Sequence, residues 1–147
     1  MPSFFEKETY DELQKRLKHL APDSERAWGK MDAGQMLKHC QFPIQIALSK
    51  ETVELKPNWL IKTFFKKLMY AKMPYSKGAP TAPAFVVKES KDFKTEKASL
   101  QRWMDELWED RDNANRRPHP IFGEFTKEQW GTMQWKHLDH HFRQFGV

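Results

Sequence analysis

"EFTKEQWGTMQWKHLDHHFRQFGV", residues 124–147, opens like a helix and closes on three histidines within five positions. Thr126 can cap the first turn while Gln129 returns the bond, and Phe125 can pack on Trp130 as a hydrophobic staple. At about 100° per residue, Trp135, Leu138, Phe142 and Phe145 line up as one apolar stripe. His137 and His141 fall beside that stripe, in line with Trp130 and Gln134, whereas His140 falls on the opposite, charged side with Lys136 and Arg143. The cluster therefore resolves into an inward pair at i and i+4, about 6 Å apart along the axis, and one histidine expected in solvent.

Three more core helices follow from the same signals. In residues 8–20 Tyr10, Leu13, Leu17 and Leu20 recur at helical steps, with Thr9 and Glu12 as a candidate capping box. A second helix begins at Asp32, answered by Gln35, and is expected to run to about Ser49. Pro43 should bend it and leave the carbonyl of His39 without its usual donor. A third spans roughly Lys94 to Arg111, with Leu100, Trp103, Met104, Leu107 and Trp108 on one face. Between the second and third lies a long crossover. It holds a basic amphipathic stretch, "NWLIKTFFKKLMYAKM" (58–73), followed by Pro74, Gly78, Pro80 and Pro83. The expectation is an all-α single domain over residues 1–147, a four-helix bundle whose crossover carries an extra amphipathic helix.

Composition narrows the class. A chain of 147 residues can bury a core without disulfides, and with 39% hydrophobic, 14% aromatic and 31% charged residues it reads as a folded domain. No apolar run approaches the length of a membrane span, and the start "MPSFFEKETYDE" lacks a signal-peptide layout, so the cytoplasm is the expected compartment. One cysteine, Cys40, excludes a disulfide framework and reads as a small buried side chain. The formal net charge of +5 is uneven: ten lysines lie between Lys56 and Lys97 against Glu89, Asp92 and Glu96. No nucleic-acid recognition motif accompanies them, so no nucleic-acid partner is expected.

The histidine pair alone does not make a site. His39 supplies a third candidate, because it falls on the apolar face of the second helix, flanked by Met36, Phe42, Pro43 and Ile46. Burying an imidazole there costs free energy unless its nitrogens find partners, and coordination of one ion would satisfy His39, His137 and His141 together. The alternative is a core histidine bonded to a backbone carbonyl. Neutral imidazoles suit zinc or nickel. His19 should complement the end of the first helix. His119, in the loop before the last helix, either reaches the site mouth or stabilises the loop.

The layout resembles the DinB-like superfamily of small metal-dependent proteins, through "GQMLKHC" (34–40), "HPIFGEFTKEQW" (119–130) and "HLDHHFRQFG" (137–146). The last two look like a branch known as a domain of unknown function. That resemblance implies an up-down-down-up four-helix bundle, ligands at His39, His137 and His141, and a homodimer. Characterised relatives include transferases and isomerases that use bacillithiol, mycothiol or related small thiols, which implies a thiol cosubstrate. The expected function is then a divalent-metal-dependent enzyme acting on a small molecule, with thiol S-transfer as its most concrete form. Arg116, Arg117, His119, Trp130 and Gln134 are candidates for substrate binding around the mouth. The alternatives are a metal-dependent hydrolase, or a non-catalytic metal-binding, sensing or stress-related module. In the segment 58–73, Lys62, Lys66 and Lys67 lie opposite Trp59, Leu60, Phe64 and Leu68. Its apolar side is expected to cover the bundle or a dimer contact, with a membrane or anionic partner as the other reading.

Overall fold

The computed structural model describes residues 1–147 and contains five α-helices and no strands. They are α1 Lys7–His19, α2 Ala33–Ala47, α3 Trp59–Tyr70, α4 Phe93–Glu109 and α5 Lys127–Gln144, with a 3-10 turn at Pro83–Phe85. Both capping boxes read from the sequence form. The Asp32 carboxylate accepts from the Gln35 amide at 2.8 Å while Gln35 Oε1 accepts from the Asp32 amide at 2.9 Å. Thr126 and Gln129 repeat the exchange at 3.2 and 2.9 Å. The Phe125 ring meets Trp130 edge-on at 5.2 Å, as a staple requires.

α1 starts differently from the expectation. It begins at Lys7, with Glu6 in the cap position and no side-chain cap bond. The Thr9 hydroxyl donates to the Glu6 carboxylate at 3.3 Å instead of capping. The cause is tertiary: the Phe4 amide donates to the carbonyl of Gly131 at 3.0 Å and the Phe4 ring is fully buried, so the chain turns at Ser3 and enters α1 early. α2 continues through Pro43 and ends at Ala47, and α4 is capped by Asp92, whose carboxylate accepts from the amide and hydroxyl of Thr95.

α2 packs against α4 and α5, and α1 packs against the same two. Leu13 and Leu17 of α1, Met36, Leu37 and Ile44 of α2, Leu100, Met104 and Leu107 of α4, and Leu138 and Phe142 of α5 are all fully buried in one cluster. Each such side chain contributes about 1.5–3 kcal/mol by leaving water, which outweighs any of the surface ion pairs. Arg16 pins the end of α5 to α1. Its guanidinium donates to Asp139 Oδ1 at 2.9 Å and to the Val147 carbonyl at 3.0 Å.

α3 packs on α5 and has no fully buried residue. Its C-terminal turn is held by Lys136, whose ammonium donates to the carbonyls of Leu68 and Ala71 at 2.7 and 2.9 Å. The charged side of α5 is thus covered, contrary to the helical-wheel expectation, and burial lowers the Lys136 pKa to about 8. The tail of the crossover returns over α2, where Gly34 leaves room for the Lys91 carbonyl. A Cβ on Gly34 would approach that oxygen to 2.5 Å.

Candidate metal centre

Three imidazoles converge where α2 meets α5. His39 comes from the apolar face of α2, and His137 and His141 stack one turn apart on α5, with all three offering nitrogens that lie within 4.8 Å of one another. Ring centroids are 4.8 Å apart for His39 and His137, and 4.7 Å for each pair that includes His141. His39 Nε2 and His137 Nε2 approach to 2.9 Å. The helical phase assigned to the pair from sequence is therefore the one the fold uses.

The far side of two rings is fixed. His39 Nδ1 lies 2.8 Å from the Phe85 carbonyl, which can only accept, so Nδ1 carries the proton and Nε2 presents a lone pair. His141 Nδ1 lies 2.8 Å from Gln144 Oε1. The orientation of that amide is itself set, because Gln144 Nε2 donates to the Trp28 carbonyl at 2.7 Å. His141 Nδ1 is consequently the donor, and its Nε2 is left with a lone pair directed away from Gln144. Orientation of metal-binding imidazoles by an acceptor on the opposite nitrogen is the usual arrangement around bound metals.

Electrostatics keep the three rings neutral. Burial lowers the pKa of His39, and burial together with the neighbouring imidazoles of His141 and His39 carries His137 well below its ordinary value. Burial likewise brings His141 down to about 3. Without an ion, His137 Nε2–H can donate to His39 Nε2, which accounts for their close approach. Two nitrogens bound tetrahedrally to one zinc at about 2.0–2.1 Å lie roughly 3.3–3.4 Å apart, so that pair needs to open by about 0.4 Å. The donor set and its outer partners fit a divalent transition metal. The group offers three side chains, so an ion held there would keep room for a small molecule. Phe42 stands edge-on to His39 and stacks on Phe85 at 5.6 Å, forming an apolar wall.

His140 does not take the solvent position expected for it. It is buried, meeting Trp28 edge-on at 5.4 Å and Tyr75 at 6.1 Å, because the loop before α2 and the crossover both fold over the side of α5 that the helical wheel leaves in solvent. It remains outside the ligand group. Cys40 is fully buried beside Met36, and burial raises its thiol pKa. His19 Nδ1 lies 2.8 Å from the Lys15 carbonyl in the last turn of α1.

The other candidate residues are engaged elsewhere. His119 is buried against Phe122, Phe125 and Trp130, and its Nδ1 accepts from the amides of Ile121 and Phe122. Arg116 donates to the carbonyls of Ala47 and Asp110 and pairs with the Asp110 carboxylate. Arg117 pairs with Glu51. Trp130 is core, and Gln134 Nε2 donates to the Pro43 carbonyl at 3.0 Å, tying α5 to α2 next to the triad. The partners that sequence reading missed are Gln144 and the Phe85 carbonyl. Gln144 lies at i+3 from His141, a spacing that could have flagged it. The Phe85 carbonyl comes from an irregular loop and carries no side-chain signal.

An all-helical chain with a largely buried, neutral three-histidine cluster is the class of protein that these observations define. The chain belongs to the family described as "Protein of unknown function (DUF1569)", whose model matches residues 5–146. No curated protein and no solved structure matches it.

Proposed function

We propose that the chain is a divalent-metal-dependent enzyme in which His39, His137 and His141 hold zinc or nickel and a small thiol is activated for attack on an electrophilic small molecule. The observation that carries the reading is the convergence of three neutral imidazoles, two of them locked by outer hydrogen bonds, with no carboxylate in the ligand group. Three neutral ligands leave the full charge of a divalent ion uncompensated, which favours an anion in the remaining position. An ion held there would act as a Lewis acid and bring a thiol or water towards its deprotonated form at neutral pH.

The chain's own residues do the rest. The Phe85 carbonyl and Gln144 keep two imidazoles in the binding tautomer, and Phe42 and Phe85 exclude water from one side. In the transfer, the thiol proton leaves to solvent and a sulfur–carbon bond forms. The carbon–leaving-group bond breaks, and the leaving group departs with its electron pair. The thiol must come from solution, since Cys40 is sealed in the core. The up-down-down-up bundle of the DinB-like proteins, membership of that superfamily and its homodimer belong to the same reading, and the placing of α1 and α2 each against both α4 and α5 is compatible with it. A screen of zinc- and nickel-loaded protein against electrophiles, with bacillithiol, mycothiol, glutathione or no thiol, tests the reaction. Metal-dependent turnover that requires a thiol is the expected result. Turnover without thiol would move the assignment to a hydrolase, and full metal occupancy with no turnover would move it to a sensing or binding role.

A further inference from the structure

α3 is amphipathic in the opposite sense from a helix that covers a core. At about 100° per residue, Leu60, Phe64, Leu68, Ile61 and Phe65 occupy an arc of about 140°, and every one of them is exposed. Phe64 is 70% exposed, Phe65 50%, and Trp59 at the start of the helix 72%. The side turned towards the protein carries lysines. Lys66 donates to the Glu124 carbonyl at 2.6 Å and lies over the Phe125 ring, and the Lys62 ammonium sits beside Gly123. Met69 and Tyr70 complete that inner side, Tyr70 edge-on to Phe125 at 5.8 Å. With Lys136 capping its last turn, the helix is fixed to α5 with its apolar face outward.

The charge around this face is of one sign. From Lys56 to Lys88 there are seven lysines and no acidic residue. None of those seven is in an ion pair, the paired lysines of the chain being Lys7, Lys50, Lys91 and Lys127. Lys67 and Lys72 are both exposed, Lys67 beside the apolar arc and Lys72 just beyond the helix end. A contact between two copies through this face would bring two lysine-rich segments together. An anionic lipid surface complements the same pattern: aromatic and aliphatic side chains enter the headgroup–acyl boundary while lysines engage the headgroups.

We propose that α3 is a membrane-docking helix, and that the chain binds the surface of bilayers containing anionic lipid through Leu60, Phe64, Phe65 and their flanking lysines. No helix of the protein is long and apolar enough to cross a membrane, so the binding is peripheral. Docking through α3 is independent of the histidine cluster and needs no metal.

Flotation of the full chain with vesicles of phosphatidylcholine alone, or of equimolar phosphatidylcholine and phosphatidylserine, tests it. Binding to the mixed vesicles, weakened by added salt and absent from the neutral ones, is the expected result. Because an interfacial lysine strengthens binding about fivefold, Lys67→Gln with Lys72→Gln should weaken it by about twenty-five-fold. Phe64→Glu with Phe65→Glu should abolish it while the helical circular dichroism and thermal unfolding stay those of the natural chain, since both rings are exposed. No binding to the mixed vesicles at low salt overturns the proposal, as does equal binding to both vesicle types. A dimer in solution that the Phe64→Glu, Phe65→Glu variant dissociates also overturns it, because a second copy would then own the face.

Discussion

Gln144 gives the sharpest test of how the triad is held. Its side chain is buried, its Oε1 lies 2.8 Å from His141 Nδ1, and its Nε2 donates to the Trp28 carbonyl at 2.7 Å. Gln144→Met keeps the length and removes both bonds. Loss of such an outer partner lowers metal affinity by about 10–100-fold, which corresponds to about 1.4–2.7 kcal/mol. The metal-free protein should also lose about 2 kcal/mol of stability, because the Trp28 carbonyl is left without its donor. Gln144→Glu separates the two effects. A carboxylate still accepts from His141 and makes it a stronger ligand, so affinity should match or exceed that of the natural chain while the Trp28 bond is lost. Competition for zinc against a chromophoric chelator at neutral pH reads the affinity, and chemical denaturation reads the stability. If folded Gln144→Met binds zinc as tightly as the natural chain, His141 is not oriented in this way and the site as described is wrong.

His140→Gln should leave metal content unchanged but lower the unfolding temperature, since it removes a buried ring packed on Trp28 and Tyr75; elemental analysis and calorimetry separate the two. Gly29 adopts φ +83°, and a Cβ there would lie 2.5 Å from Gln144 Nε2. Gly29→Ala should therefore weaken zinc binding in the same competition assay, in the direction of Gln144→Met. His119 gives a pH prediction away from the triad. Burial brings its pKa to about 4, against 6.5 for the free group, and its Nδ1 must stay unprotonated to accept from Ile121 and Phe122. Below 6.5 the unfolded chain takes up a proton that the folded chain refuses, so stability is full above that pH and falls towards 4. The drop attributable to this group is about 3 kcal/mol, and denaturation of His119→Gln across the same range should show that much less acid sensitivity.

The helices and the convergence of the three histidines were legible because both rest on local rules. Capping boxes at Asp32 and Thr126 are written in contiguous residues, and the 100° period alone sets His137 and His141 on one side of the helix and His140 on another. What lay beyond the sequence depends on contacts between distant segments. His140 and Lys136 sit on the charged side of α5, and only the folded crossover and the loop at Trp28 reveal that this side is covered. Thr9 lost its capping role to an N-terminal segment pinned on Gly131. The apolar face of α3 could be read, but its direction could not, because Lys66 and Lys136 choose it by bonding to backbone carbonyls that leave no pattern in the sequence.

Whether His39, His137 and His141 together bind one metal ion is decided by elemental analysis of the chain purified without a histidine tag and reconstituted with zinc or nickel, beside a His137→Ala, His141→Ala variant shown to be folded. One ion per natural chain and none in the variant is the expected result; no ion in the natural chain, or equal metal in both proteins, would rule the shared site out.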